Sequence, residues 1–213
     1  MIEFSDVSAP GLVRWRRSRL PDLTLNTSPY FVATESFVAW SWSETSFLTQ
    51  IWVAGSHGDN SRPLVQVDSE DLHASGSRLV FVNHGDIWLW NVGDAAPENL
   101  THDDPEQWSP WVDGDRVVFI DQQYEPSGTI DNPNNPEVVM IDLRDASRTR
   151  VRITHDPPSR PAAQASPTVS GNWVLWTDAR NSATPNRTHY ASDHSEIWGY
   201  DLRTGRERVI IPG

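Results

Sequence analysis

The strongest constraint on this chain is a sequence pattern that occurs four times between residues 28 and 213. Each copy leads into a turn, continues as a run of β-branched and aromatic residues, and ends in two further runs of that kind. The clearest copy reads SPTVSGNWVLWTD and, after a loop, SEIWGYDLRTGRERVII; two others centre on Gly114 and Gly76, and a weaker one starts at Ser28. A repeat of this size cannot bury its apolar face alone, so the copies must stack on one another.

Each copy predicts four short antiparallel strands separated by turns rich in Gly, Asn and Asp. Four strands per repeat is the blade of a β-propeller, and no segment shows a sustained helical period. We therefore predict an all-β chain whose four recognisable blades form a closed or an incomplete ring. The predicted blades cover residues 28–68, 69–105, 106–160 and 161–213, and residues 1–27 are interpreted as degenerate strands of an N-terminal partial blade. If the ring is incomplete, two alternatives stay open. The chain could associate with a second copy of itself, or it could be a fragment of a larger propeller protein.

The loops of the repeat have unequal lengths, and this asymmetry indicates a working surface. The two long insertions, 122–136 and 179–195, both join a second strand to a third and are rich in Asn, Pro, Asp and Ser. In an antiparallel blade such loops lie on the same face as the segments between blades, here Thr101–Gln107 and Thr154–Ala165. The opposite face receives only tight turns. Since binding residues are often carried by loops on a rigid scaffold, we predict that the long-loop face is the binding face.

Composition and charge exclude several classes of function. The net charge of −12 repels phosphate backbones, so we expect no nucleic-acid partner. The chain contains no Cys, which excludes disulfides, thiolate nucleophiles and Cys-based zinc sites. No stretch approaches the length of an apolar membrane span. The first residues lack the basic-then-apolar pattern of a secretory signal, so the chain as written is expected in the cytoplasm or as a piece of a longer protein.

No motif in the sequence indicates a catalytic or metal centre. The pairs His102-Asp103 and His155-Asp156 could move protons, but they recur at equivalent repeat positions. A recurring feature favours turn structure, in which the Asp accepts backbone N–H bonds. Asp193 and His194 are weak candidates for metal ligands, without the dense spacing of a known metal motif. We expect a chain that is not an enzyme and holds no cofactor, calcium being the one ion left open.

The aromatic residues divide into packing residues and candidate contacts. Those on strands in repeat register are expected to pack between blades, namely Trp40, Trp88, Trp90, Trp173, Trp176 and Trp198. Trp108 and Trp111 flank Ser109-Pro110 near the predicted loop face and central channel, where exposed aromatic rings suit sugar stacking or a peptide anchor; for Trp111 the alternative is packing on the inner strand. The candidate binding residues are Trp108, Trp111, Tyr124, His102, Asp104, His155 and Tyr190. The leading interpretation is a noncatalytic module that binds a protein or peptide through its long-loop face; the alternative ligand class is carbohydrate, bound or cleaved.

Three short motifs connect the repeat to a known family. The chain has an SP-x-V-x-G opening at residues 166–171, a W-x-D-x-R-N stretch at 176–181 and an acidic-I-W-x-Y-D-L strand at 196–202, and two blades end in LTHDD and ITHDPP. These features resemble the TolB-type, WD40-like (PD40-like) propeller repeats of bacterial envelope and archaeal surface proteins, over roughly residues 28–213. The resemblance implies a propeller that serves as a protein-binding platform or as the accessory propeller of a larger peptidase or lyase. It also implies a periplasmic or extracellular location.

Overall fold

The fold is an arc of four β-sheets. In a computed structural model, the chain is described at residues 30–45, 48–69, 71–122, 136–155, 164–181 and 195–213. These residues form sixteen strands and no α-helix, and every sheet has four antiparallel strands that follow one another in the chain. The predicted all-β propeller with four blades is confirmed. The partial blade predicted for residues 1–27 lies outside the described residues.

The strands are numbered in chain order, four to a blade. Blade 1 contains β1 (Phe31–Ala33), β2 (Phe37–Thr45), β3 (Leu48–Gly55) and β4 (Arg62–Val67). Blade 2 contains β5 (Leu72–Ser75), β6 (Arg78–Asn83), β7 (Asp86–Asn91) and β8 (Glu98–Asn99). Blade 3 contains β9 (Gln107–Asp113), β10 (Arg116–Asp121), β11 (Glu137–Asp142) and β12 (Arg150–Arg152). Blade 4 contains β13 (Gln164–Ser170), β14 (Trp173–Asp178), β15 (Glu196–Asp201) and β16 (Arg206–Ile211).

The blades are held together by apolar side chains that alternate along the strands. We call the face of a blade toward the preceding blade its leading face and the opposite one its trailing face. Val80 on the trailing face of blade 2 packs in one core with Val117 and Phe119 on the leading face of blade 3, all fully buried. Equivalent cores lie between blades 1 and 2 and between blades 3 and 4. Burial of both faces stabilises each middle blade, as expected for a sheet that packs on two neighbours.

The ring is incomplete within the described residues. The first strands of successive blades contact one another, β1 with β5, β5 with β9 and β9 with β13, so they lie at the centre of the arc. No described strand covers the leading face of blade 1 or the trailing face of blade 4. None of the described residues forms a helix with the length and apolar content that spanning a bilayer requires.

The Ser-Pro dipeptide of the repeat forms a bulge inside the first strand. The dipeptide Ser166-Pro167 lies inside β13, which begins at Gln164, and the register shifts between Ala165 and Thr168. Ser166 and its equivalent Ser109 have positive φ angles of 51° and 52°. Proline is tolerated there because the strand is the inner edge of its sheet and the bulge removes one ladder hydrogen bond.

Arginines at the start of the second strands link consecutive blades. The Arg78 guanidinium donates to the Gly114 carbonyl and, over 2.7 Å, to Oδ1 of Asp115 in blade 3. Arg116 of blade 3 donates in the same way to the Gly171 carbonyl in blade 4. Both acceptors lie in the tight turn between a first and a second strand, where the glycines have φ angles of 54° and 55°. The tight turns therefore serve as anchoring points between blades.

Candidate functional site

A cleft of about 280 Å³ opens at the centre of the arc. It is formed where three first strands end, at residues 73–75 of β5, 111–113 of β9 and 168–170 of β13. Each of these strands is followed directly by a turn glycine, so the cleft lies at the tight-turn end of the channel. The long insertions begin and end at the opposite end of the strands.

His73 and Trp111 form one wall of the cleft. Their rings are stacked, with 3.6 Å between centroids and 21° between planes. The backbone N–H of Val112 donates to Nδ1 of His73 over 3.2 Å. The histidine of blade 2 therefore satisfies a donor on the inner edge of blade 3, and in the neutral ring the remaining proton is carried by Nε2.

The environment of His73 disfavours its charged form. Burial lowers the pKa of His73 to about 4, and the nearby carboxylate of Asp113 opposes this shift only in part. Asp113 Oδ2 in turn accepts the N–H of Gly171 over 2.8 Å, which connects blade 3 to blade 4. At neutral pH the cleft therefore combines a neutral imidazole, an indole and a carboxylate.

The wall residues occupy one position of the repeat. His73 pairs with Val80, Trp111 with Val118 and Thr168 with Leu175, each at the third residue of a second strand. His73 is not among the residues predicted to bind, although its repeat position, shared with Trp111, is a signal that could have found it. Trp111 was predicted near the loop face, whereas it lies near the other end of its strand, opposite Val118. The reason is its spacing, since Trp111 stands only three residues before the turn glycine Gly114.

At the long-loop end, a threonine and an acid close each of two blades. Thr101 Oγ1 donates to Oδ1 of Asp86 over 3.0 Å and accepts the N–H of Ile87 over 3.0 Å. In blade 3, Thr154 Oγ1 donates to Glu137 and accepts the N–H of Val138 over 2.9 Å. In these two blades the acid that opens the third strand therefore accepts a hydrogen bond from the threonine of the Leu/Ile-Thr blade ending. This pair fixes the end of the blade beside the start of its third strand.

The first His-Asp pair is also structural. The Asp103 carboxylate accepts hydrogen bonds from both terminal guanidinium nitrogens of Arg150, over 2.7 and 2.9 Å. It also accepts one from the side-chain amide of Gln107 over 3.0 Å. Arg150 also donates to the fully buried Asp121 over 3.0 Å. The expected turn role is therefore filled by side-chain donors rather than by the backbone N–H groups that the sequence suggested. Asp156 lies outside the described residues.

The W-x-D-x-R-N motif forms a further network at this end of blade 4. The buried Asp178 accepts the Trp176 indole N–H over 2.8 Å and the Arg180 guanidinium over 2.7 Å. Arg180 also binds Glu207 over 2.8 Å, and its guanidinium carbon lies 4.1 Å from the centre of the Trp198 ring. These groups stabilise blade 4, and their charges are directed at one another.

The remaining candidate residues are distributed as follows. His102, Asp104 and His155 are exposed at the long-loop end. Trp108 is half-buried and packs against the cores on both sides of blade 3. Tyr124, Tyr190, Asp193 and His194, with most of both long insertions, lie outside the described residues. Within the described ranges, no three His, Asp or Glu side chains are grouped so as to hold a metal ion; the metal prediction for Asp193 and His194 stays a prediction.

Comparison with known proteins identifies the fold. No family model matches the chain, and no curated protein matches it in sequence. Solved structures similar to it include the following three. A protein assigned as TolB from Agrobacterium tumefaciens is 14% identical with a TM-score of 0.57, and the match covers 82% of this chain and 60% of that one. TolB from Acinetobacter baumannii is 14% identical with a TM-score of 0.54, over 86% of this chain and 44% of that one.

The third similar structure is the β-propeller domain of the Trilobed protease from Pyrococcus furiosus, described as having an open velcro topology. It is 14% identical with a TM-score of 0.54, over 87% of this chain and 57% of that one. The chain thus spans at most 60% of the length of each of these structures. At such identities the likeness concerns the fold, and it confirms the resemblance to TolB and other PD40-like propellers at that level.

Proposed function

From a TolB-like β-propeller arc with a cleft at its centre, we propose that this chain is a noncatalytic, cofactor-free module that binds a segment of a protein or peptide partner. The observation that carries the proposal is the cleft at the tight-turn end of the channel. Its volume of about 280 Å³ is near the lower limit of ligand pockets, which are typically about 300–1,000 Å³. A single side chain with its adjoining backbone suits this space better than a large cofactor does.

The chemistry of the cleft supports a peptide ligand. Trp111 supplies apolar surface, His73 supplies an Nε2–H donor, and Asp113 supplies a negative charge. Buried aromatic residues with a few polar neighbours are typical anchors of binding interfaces. Because the chain carries a net charge of −12, a partner segment with basic residues is favoured electrostatically.

One observation at the long-loop end and one similar fold bear on the same proposal. The carboxylates of Asp103, Asp121 and Asp178 each bind an arginine there, which supports structural rather than catalytic roles. One similar fold is the β-propeller domain of a protease. The insertions 122–136 and 179–195 are proposed as a second contact surface for the same partner.

The proposal is tested by selecting ligands from a displayed library of random peptides on the immobilised chain. We expect selected peptides whose Kd rises at least tenfold with Trp111→Ala. Because Trp111 also packs against a core, a second variant, Ser170→Tyr, fills the cleft without removing packing and should have the same effect. Val151→Ala, on the exposed outer strand β12, is the matched control and should leave the Kd unchanged.

The outcomes separate the candidate functions. In one outcome, the selected peptides bind both cleft variants as tightly as the unchanged chain and fail to bind a variant in which short Gly-Asn turns replace the two insertions. That result would place the binding site on the long-loop face. Failure to select any peptide, together with glycan-array binding that is lost with Ser170→Tyr, would favour the carbohydrate alternative.

A further inference from the structure

The two end blades expose faces that are buried in every other blade. On the leading face, Leu79, Val117 and Val174 occupy one repeat position and are 0% exposed, whereas Val38 of blade 1 at that position is half-buried. Two residues further along the second strand, on the same face, Trp40 of blade 1 is half-buried. Its equivalents in the other blades, Phe81, Phe119 and Trp176, are at most 1% exposed. The leading face of blade 1 therefore has the residues of a blade-to-blade contact without a described neighbour.

This face presents a continuous aromatic row. Phe31, Trp40 and Trp52 are directly opposite one another on three adjacent strands. The two indoles are stacked with 6.2 Å between centroids, and Phe31 is 74% exposed. Exposed apolar surface of this kind marks an interaction site.

The trailing face of blade 4 is likewise less buried than the trailing faces of the other blades. Leu175 is half-buried, while Ala39, Val80 and Val118 at the same position of the other blades are 0% exposed. Ile197 is likewise half-buried, and its equivalents, Ile51, Ile87 and Val138, are at most 1% exposed. Ile211, paired with Ile197, is 58% exposed.

We propose that a second copy of this chain covers both faces. The leading face of blade 1 in one copy packs on the trailing face of blade 4 in the other, and the reverse contact closes a two-fold ring of two arcs. The two faces suit each other because they use the repeat positions that already pack inside the arc, so the new contact continues an established interface. A closed pair removes both exposed faces at once, which neither a single extra strand nor a covering loop at one end would do.

The charges at the edges of these faces are complementary. Inside the arc, Arg78 and Arg116 reach the turn of the next blade. In blade 4 that arginine position is occupied by Trp173, and the guanidinium carbon of Arg208 lies 5.1 Å from the centre of its ring. In blade 1 the turn-glycine position is occupied by the exposed Glu35. In the closed pair, Arg208 of one copy therefore faces Glu35 of the other.

The oligomeric state and a charge exchange test the proposal. Sedimentation velocity of the full chain at micromolar concentration should give a species of twice the 24.0 kDa chain mass. Glu35→Arg and Arg208→Glu should each weaken the dimer at least tenfold, and the double variant should restore it. Arg144→Glu, an exposed arginine of blade 3, is the matched control and should leave the dimer intact.

Because the chain lacks Cys, a directed cross-link gives an independent readout. Glu35→Cys and Arg208→Cys should form a disulfide-linked dimer under mild oxidation only when the two variants are mixed. The double-Cys variant should form closed dimers and no larger species. A monomeric wild-type chain, a ladder of higher multimers from the double-Cys variant, or equal cross-linking within each single variant would overturn the proposal. So would a chain that dimerises only after residues 1–29 are deleted, since those residues would then be what covers blade 1.

Discussion

Arg78 links blade 2 to blade 3, since its guanidinium donates to Asp115 across the blade boundary with 2.7 Å between Nη2 and Oδ1. The same arginine donates to the Gly114 carbonyl, so one side chain fixes the turn of the next blade at two points. Apolar burial attracts the blades to each other, and this link adds a directional contact between them.

Removing this link should destabilise the arc modestly. Arg78→Ala is expected to lower the free energy of unfolding by about 1 kcal/mol, because two partly exposed hydrogen bonds are lost. Arg144→Ala is the control, since the guanidinium of Arg144 donates its hydrogen bonds to Asp142 in its own turn and its loss should change stability less. Urea unfolding followed by tryptophan fluorescence measures both; equal effects would mean that the link does not connect the blades energetically.

The buried arginine of blade 3 should matter more. Arg150→Met is expected to cost about 3 kcal/mol, because it leaves the fully buried Asp121 without this cation. Arg148→Met, two residues earlier, disrupts a pair with the exposed Glu98 at 3.4 Å and should cost at most about 1 kcal/mol. Thermal unfolding of the two variants provides the comparison, and a smaller loss for Arg150→Met would show that Asp121 is stabilised by other partners.

His73 should make the fold sensitive to acid. Its pKa is about 4 in the folded chain, below the ordinary value of 6.5, so the unfolded state takes up the proton first as the pH falls. Stability should therefore decrease between about pH 6.5 and pH 4. His73→Asn places an oxygen where Nδ1 accepts the Val112 N–H but does not titrate, and it should show a weaker decrease. Urea midpoints at several pH values test this; identical pH profiles would assign the acid sensitivity to other groups.

The Ser-Pro bulge should tolerate glycine but not a β-branched residue. Ser166 has a φ of 51°, a conformation that is strained for Val and allowed for Gly. Ser166→Val should lower stability by about 1–2 kcal/mol, whereas Ser166→Gly should be nearly neutral. Denaturant unfolding of the two variants distinguishes them. If Val were tolerated as well as Gly, the bulge would not require the left-handed conformation.

Residue patterns in the sequence predict many of the recurring residues around the site. They do not predict which of these residues contact one another. The acid that opens the third strand in blades 2, 3 and 4 and the threonine that ends blades 2 and 3 are separate recurring features of the sequence. Only the fold shows that Thr101 binds Asp86, because the fourth strand returns its end beside the start of the third. His73 gave no signal by itself, since its stacking on Trp111 requires two blades to be adjacent.

By itself, the sequence determined the repeat, the four-stranded blades and the turns at Gly76, Gly114 and Gly171, because strand periodicity and turn chemistry are local properties. The tertiary structure alone decided which faces are covered, which carboxylates meet arginines and where the cleft opens. These depend on contacts between residues far apart in the chain, such as Arg150 and Asp103, and a local pattern has no information about such distances.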